Sequence, residues 1–436
     1  MPRSPLSVTL ALLSLLLPML AAAGTPESWR AVWGASPSHA LTSLPLAANQ
    51  SVRQVVHLSA SGRQLRLRLT QRYGTQAVTL GAVSVGLRDA GSANGIGIVP
   101  GSLRAVRFGG ARGVTIPGGQ SVASDAIDLP VAAFQDLVIS VATSSAVAQV
   151  TEHAIARDTP TFSRDPAAVD QLDGAGYRAR PLGNQNVFVL LEGVDVRDTD
   201  ARRTLVAFGD SLTDGYISSG GSPLLSDNTR LGLNERYPDF LALRLAQRFP
   251  GRYTVVNAGI SGNRVAAGPF LPTYGPSLVD RLDQDVLAVP GVSDVIVIAG
   301  QNDLGFGSAG RAPDPAPVIA GLTTAISRMK AAGLRVWLGT IPPARGAFAG
   351  PLGAIGQPGG FGALHGSQAA DAARQLVNAW VRSQSIADAV VDVDACLRDP
   401  VASDHLRADY DSGDHLHPNA SGYAAMAACV DLDRLQ

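Results

Sequence analysis

Lysine is nearly absent from this chain: of 35 basic residues only Lys330 is a lysine, so the positive charge is almost all arginine. Acidic residues offset it to a formal net charge of -1, and no basic stripe stands out. Nucleic-acid binders carry such a stripe, so no nucleic-acid partner is expected. Cysteine is scarce too. Cys396 and Cys429 are the only two, and no cluster of Cys or His stands at metal-ligand spacing, so no metal site is expected. In an oxidising compartment, two cysteines in one domain more often pair than stay free; two buried thiols are the alternative. Aromatics make up only 5% of residues, which leaves few rings to stack on sugars. Beyond the N-terminus no run is apolar and long enough to span a bilayer.

What is present describes a globular protein. With 436 residues, 46% apolar and 16% charged, the chain has room for two or three domains. Residues 1–23 run from Met1-Pro2-Arg3 through an apolar stretch, Leu6 to Leu20, to Ala21-Ala22-Ala23. A positive start, an apolar middle and a small-residue end make a secretory signal peptide. Pro18 interrupts the stretch and no cysteine follows it, which argues against a membrane anchor and a lipoprotein anchor. The expected mature protein is soluble and either secreted or periplasmic.

Residues 24–195 read as short strands: Val52–Leu58, Gln64–Leu69, Ala77–Gly86, Ser102–Phe108, Leu137–Val141 and a last one over Val187–Gly193. The strict alternation of Gln64-Leu65-Arg66-Leu67-Arg68-Leu69 predicts one buried face and one wet, arginine-rich face. Turn signals at Ser61-Gly62, Gly109-Gly110 and Pro117-Gly118-Gly119 separate the strands, a pattern that predicts an all-β sandwich of jelly-roll type. Asp195 to Arg203 reads as a charged connector. Residues 196–436 then alternate strand candidates (Thr204–Phe208, Tyr253–Asn257, Asp294–Ala299, Arg335–Thr340, Ala389–Val393) with helix candidates (Pro238–Arg248, Val318–Ala332, Gln368–Ser383, Ala420–Cys429). Alternation of this kind predicts an α/β domain, a parallel sheet with helices on both faces.

The chemistry-bearing residues follow those strands. Leu205 to Phe208 stops at Gly209-Asp210-Ser211, which puts a serine hydroxyl where open α/β sheets place their ligand crevices. A serine nucleophile needs a base, and the base needs an orienting carboxylate. Asp414 and His417 stand three residues apart in Asp414-His415-Leu416-His417-Pro418-Asn419, close enough to bond within one turn of chain; His415 reads as a neighbour rather than the base. Acyl transfer also needs fixed donors for an oxyanion. Gly262, in Asn257-Ala258-Gly259-Ile260-Ser261-Gly262-Asn263, offers an N–H at close approach. Asn302, in Gly300-Gln301-Asn302-Asp303, offers a side-chain amide. Two long loops, residues 216–236 and 342–367, are candidate walls of the site; His365, in the second, reads as a surface residue.

The motifs GDSLTDG, NAGISGN, GQND and DHLHPNASGY resemble, in order, the four blocks of the SGNH hydrolases, the GDSL lipase/esterase superfamily, over roughly residues 203 to 434. The resemblance implies a three-layer fold with a five-stranded parallel sheet. It implies Ser211 as nucleophile, His417 as base and Asp414 as its orienter. The Ser211 and Gly262 amides and the Asn302 side chain would form the oxyanion hole, with no metal or organic cofactor. No G-x-S-x-G is present, which sets the α/β-hydrolase elbow aside. Upstream, Trp29-Arg30-Ala31-Val32-Trp33, Val52-Arg53-Gln54-Val55-Val56 and Arg66-Leu67-Arg68-Leu69 resemble the leader domain of a bacterial SGNH subgroup similar to xylan-associated acetylesterases. That implies a secreted serine esterase acting on acetyl or other short acyl esters of a polysaccharide or glycoside. A lipase, thioesterase or lysophospholipase, an acetyltransferase, and a non-catalytic carbohydrate-binding protein are the rival readings.

Overall fold

Apart from Met1, the computed structural model describes residues 29–41, 45–179, 186–306, 312–348 and 363–435. The signal-peptide reading of residues 1–23 and the middle of the 342–367 loop lie outside them.

Alternation builds the first half. Leu65, Leu67 and Leu69, on strand Gly62–Thr70, are fully buried and share one apolar core with Val83, Val85, Ile139 and Val141. Each such side chain contributes about 1.5–3 kcal/mol on leaving water. One antiparallel sheet orders Arg30–Gly34, Leu191–Arg197, Gly62–Thr70 and Ile127–Val131. The other centres on Ser51–His57, Asp136–Thr143 and Val78–Asp89. A smaller sheet pairs Val150–Ala154 with Val187–Val189 and His39–Leu41.

Four expectations change here. The stretch over 187–193 is two strands, because Leu190 (φ 57°) turns the chain from the small sheet into the large one. Of 102–108 only Arg104–Ala105 is strand, paired to Ser84 and Val85. Asp195 is no connector residue: it is fully buried within Leu191–Arg197. The arginine face is half-buried rather than fully wet. Arg66 and Arg68 donate to the two Asp195 carboxylate oxygens at 2.9 and 3.1 Å. A buried carboxylate needs such partners, and these come from more than a hundred residues upstream, beyond the reach of local pattern.

The second half carries five parallel strands in the order Tyr253–Gly259, Arg203–Gly209, Val292–Ile298, Arg335–Gly339, Ala389–Val391. Period-two alternation splits Arg203–Gly209 between two cores. Val206 and Phe208 join the helices Pro315–Ala331 and Gln368–Ser383, while Leu205 and Ala207 join Tyr237–Arg248 and Ala420–Ala428. The result is a three-layer α/β domain. The chain leaves Arg203–Gly209 toward one side and later returns on the other, so the crevice of such a sheet opens at the carboxyl end of this strand. Ser211 is there.

The sandwich docks on the outer strand of the parallel sheet. Val255 N–H donates to Ser59 Oγ (3.0 Å), which pairs an amide that this edge would otherwise expose, and Ala31 N–H donates to Pro290 O (3.0 Å) just before Val292–Ile298. A cavity of about 740 Å³ lies along this junction, lined by Trp33, Phe134, Asp158, Asp214, Arg236 and Asn257 among others; it is not the crevice over Ser211. Cys396 and Cys429 are disulfide-bonded, tying helix Val393–Leu397 to the end of Ala420–Ala428. Among the described residues no helix is long and apolar enough to cross a membrane.

Candidate active site

Ser211 opens a single helical turn, Ser211–Asp214, whose N-cap is Asp210: its carboxylate accepts from Leu212 N–H at 3.1 Å. The turn lies tight against the strand ends. A Cβ on Gly259 would meet Asp214 N at 2.2 Å, so only glycine allows this approach. Ser211 Oγ is 3.0 Å from His417 Nε2, and His417 Nδ1 is 2.7 Å from Asp414 Oδ2. Asp414 Oδ1 accepts the N–H groups of Leu416 (2.9 Å) and His417 (2.8 Å). All three side chains are buried. Burial pushes the Asp414 carboxyl upward, but the His417 imidazole and these donors outweigh it and hold it below the usual carboxylate range. An ionised Asp414 only accepts, so Nδ1 carries the imidazole proton and the Nε2 lone pair faces the serine hydroxyl. His415 turns away at φ 61° and bonds Asp411 at 2.6 Å on the surface.

The proposed oxyanion donors are knit together. Gly262 has φ 78°, the left-handed region, and a Cβ there would meet the Tyr274 ring at 2.3 Å. Asn302 lies in the first turn of Gln301–Gly305, and its Nδ2 donates to Asn263 O at 3.0 Å. Ser261, on the other side of Gly262, donates to Asp214 Oδ2 through both its N–H (3.0 Å) and its hydroxyl (2.7 Å). Among the described residues, neither the Ser211 nor the Gly262 N–H donates to a protein group.

His365 is not a surface residue. It is 2% exposed, with Nε2 3.1 Å from Asn302 Oδ1. Its loop returns over the sheet edge, where Leu364 N–H donates to Gly305 O (2.7 Å), and the imidazole fills the space that a Cβ on Gly305 would take. Phe306 packs edge-on against it, Phe348 tilts over it, and Tyr274 and Phe270 stack on Phe306. These rings form one aromatic wall beside Gly262 and Asn302. Arg281 also escaped the sequence reading. It is buried, donating to Asn263 Oδ1 (3.0 Å), Ala258 O (2.8 Å) and Gly209 O (2.7 Å) with its guanidinium over the Phe208 ring. The only local hint was an arginine on the apolar side of a helix, Leu278–Leu282. Among the described residues no three His, Cys, Asp or Glu side chains converge as a metal-ligand set.

A three-layer α/β domain with a serine, an imidazole and a carboxylate hydrogen-bonded in line at the carboxyl edge of its parallel sheet has the parts of a serine hydrolase. Residues 207–425, half of the chain, match the model of the GDSL-like lipase/acylhydrolase family. The chain belongs to that family and is an esterase of the carboxylic ester hydrolase class. Among solved structures it is similar to a carbohydrate acetylesterase from Sinorhizobium meliloti, at 17% identity over 52% of this chain and 94% of that one, with a TM-score of 0.37. An aryl esterase from M. smegmatis is similar at 16% identity over 52% and 95%, with a TM-score of 0.37. A GDSL-like lipase from Bacteroides thetaiotaomicron is similar at 17% identity over 54% and 88%, with a TM-score of 0.35. No curated protein sequence matches the chain.

Proposed function

We propose that this protein is a secreted or periplasmic serine esterase that removes acetyl or other short acyl groups from carbohydrate. The observation that carries the serine mechanism is the hydrogen-bonded line Ser211 Oγ to His417 Nε2 and His417 Nδ1 to Asp414 Oδ2, at 3.0 and 2.7 Å. In it, His417 Nε2 takes the Ser211 proton as Oγ attacks the ester carbonyl. The Ser211 and Gly262 amides and Asn302 Nδ2 receive the oxyanion. The C–O bond to the alcohol breaks as His417 returns the proton to it, leaving an acyl-enzyme. Water, deprotonated by His417, repeats the sequence and releases the acid. No cofactor enters these steps.

The aromatic wall of Tyr274, Phe306, His365 and Phe348 supports a short acyl group, because among the described residues packed rings stand directly beside the oxyanion donors. The leader's resemblance to that of xylan-associated acetylesterases supports a carbohydrate alcohol. The signal-peptide pattern of residues 1–23 supports export, as does the Cys396–Cys429 bridge, since disulfides persist in oxidising compartments. The test is hydrolysis of p-nitrophenyl acetate, butyrate and octanoate by wild type and Ser211→Ala, with acetate release from acetylated xylan. Ser211-dependent turnover falling steeply with chain length, with acetate released from the polymer, is expected. Preference for octanoate would move the assignment to a lipase or thioesterase. Turnover unaffected by Ser211→Ala would remove the serine mechanism.

A further inference from the structure

Resting on the serine-esterase reading, we propose that the N-terminal sandwich braces the active site: His153 and Arg72 position the oxyanion loop from both sides of Gly262. Two buried polar chains cross the domain junction, and they end on the two residues that flank this glycine.

The first chain runs through the nucleophile turn. His153, on strand Val150–Ala154, is 4% exposed, with Nδ1 2.7 Å from Ser36 O and Nε2 3.1 Å from Asp214 Oδ1. A carbonyl only accepts, so Nδ1 carries a proton. Asp214 Oδ2 already receives the Ser261 N–H and hydroxyl, which leaves Oδ1 to face His153 Nε2. Three hydrogen bonds thus fix the Asp214 carboxyl, one of them supplied by the sandwich. Asp214 ends the turn that Ser211 begins, and Ser261 precedes Gly262.

The second chain approaches from the other flank. Arg72 is held by Glu192 and donates to Asp285 Oδ1 at 2.8 Å. Asp285 Oδ2 receives Arg281 Nη1 at 3.0 Å, and Arg281 Nε donates to Asn263 Oδ1 at 3.0 Å. Asn263 follows Gly262, and its carbonyl holds Asn302 Nδ2. Displacing Asn263 therefore moves two oxyanion donors at once. Ser36 touches both chains, accepting His153 through its carbonyl and Arg281 Nη1 through its hydroxyl at 3.4 Å.

A buried ion-pair chain is a poor stabiliser beside apolar packing of the same volume. Stability alone does not account for two of them converging on one loop. Oxyanion donors, by contrast, must be held to within about 0.5 Å, and a glycine at positive φ has no side chain to hold itself. The two chains supply that restraint from a separate domain, so His153 and Arg72 are positioning residues.

The experiment uses the full chain. Wild type, Ser211→Ala, His153→Ala and Arg72→Met are assayed on p-nitrophenyl acetate, with active sites titrated by a fluorophosphonate and phenylboronic acid affinity measured. Each of the last two variants should lose about ten- to a hundredfold in kcat per titrated site, less than deleting an oxyanion donor outright. KM should stay within about twofold, and boronate affinity should weaken in step with kcat. His153→Gln and Arg72→Lys, which keep a donor at altered reach, should fall between. A kcat per titrated site equal to wild type in His153→Ala and Arg72→Met, whatever their melting temperatures, overturns the proposal. Should those two give no titratable sites, wild-type kcat in His153→Gln and Arg72→Lys overturns it. Turnover surviving Ser211→Ala instead removes the esterase mechanism on which the proposal rests.

Discussion

The imidazole Nε2 of His365 stands 3.1 Å from Asn302 Oδ1, inside a cage of Phe306 and Phe348. An amide oxygen only accepts, so Nε2 carries the proton and the bond fixes which way the Asn302 amide faces. Its Nδ2 thereby donates one hydrogen to Asn263 O, and the proposed oxyanion role falls to the other.

This relationship predicts that His365→Phe, which keeps the ring and removes the donor, lowers kcat about tenfold. Leaving a buried amide oxygen unpaired costs roughly 1–3 kcal/mol. His365→Gln should restore most of the rate. Steady-state kinetics on p-nitrophenyl acetate check it, and an unchanged kcat in His365→Phe would show that Asn302 holds its orientation without help.

His365 also makes the fold acid-sensitive. Burial pushes its imidazole down to about 3, below the roughly 6.5 of an exposed histidine. The unfolded chain then binds the extra proton first, so this stability is full above about pH 6.5 and is lost as pH falls toward 3. The melting temperature of His365→Phe should fall less than that of wild type between pH 7 and pH 4.5. Parallel acid slopes would refute it.

Asp210 has the opposite sign. Burial pushes its carboxyl up to about 7, against the lowering effect of the Leu212 N–H, and its Oδ2 has no partner among the described residues. The folded protein holds this proton more tightly than the unfolded chain, so stability present at low pH is lost as pH rises through about 7. Asp210→Asn keeps the capping oxygen without the charge. It should raise the melting temperature relative to wild type by more at pH 8 than at pH 5; an equal difference at both would count against it.

Gly262→Ala should cripple the enzyme more than it unfolds it. A left-handed alanine costs about 1–2 kcal/mol, and its Cβ would meet the Tyr274 ring at 2.3 Å, so the loop must shift away from its oxyanion position. We expect kcat to fall about a hundredfold, with a melting temperature only a few degrees lower. Activity within threefold of wild type would mean the Gly262 N–H is not a donor.

The Cys396–Cys429 bridge closes a loop of sequence separation 33 that contains both Asp414 and His417. Loop-closure entropy for that length is about 3–4 kcal/mol. Cys396→Ser with Cys429→Ser should therefore lower the melting temperature by several degrees and shorten the half-life at elevated temperature, with kcat at 25 °C close to wild type. Thermal inactivation with and without reductant checks this, and reductant should have no effect on the double variant.

The sequence by itself determined whatever local chemistry writes. Period-two alternation specified the strand Gly62–Thr70, and alternating strands and helices specified the parallel sheet. The stop at Gly209-Asp210-Ser211 put a hydroxyl at a strand end, and the spacing of Asp414 and His417 put an acid beside an imidazole. Those features act within one turn or one strand, so they are legible along the chain. Tertiary structure alone decided who meets whom across it. It buried His365 against Asn302, 63 residues away, and Asp195 against Arg66, 129 residues away. It also brought His153 of one domain to Asp214 of the other. A buried polar group needs a partner, but nothing in local pattern says which of many distant residues supplies it. Only the packed tertiary geometry makes that choice.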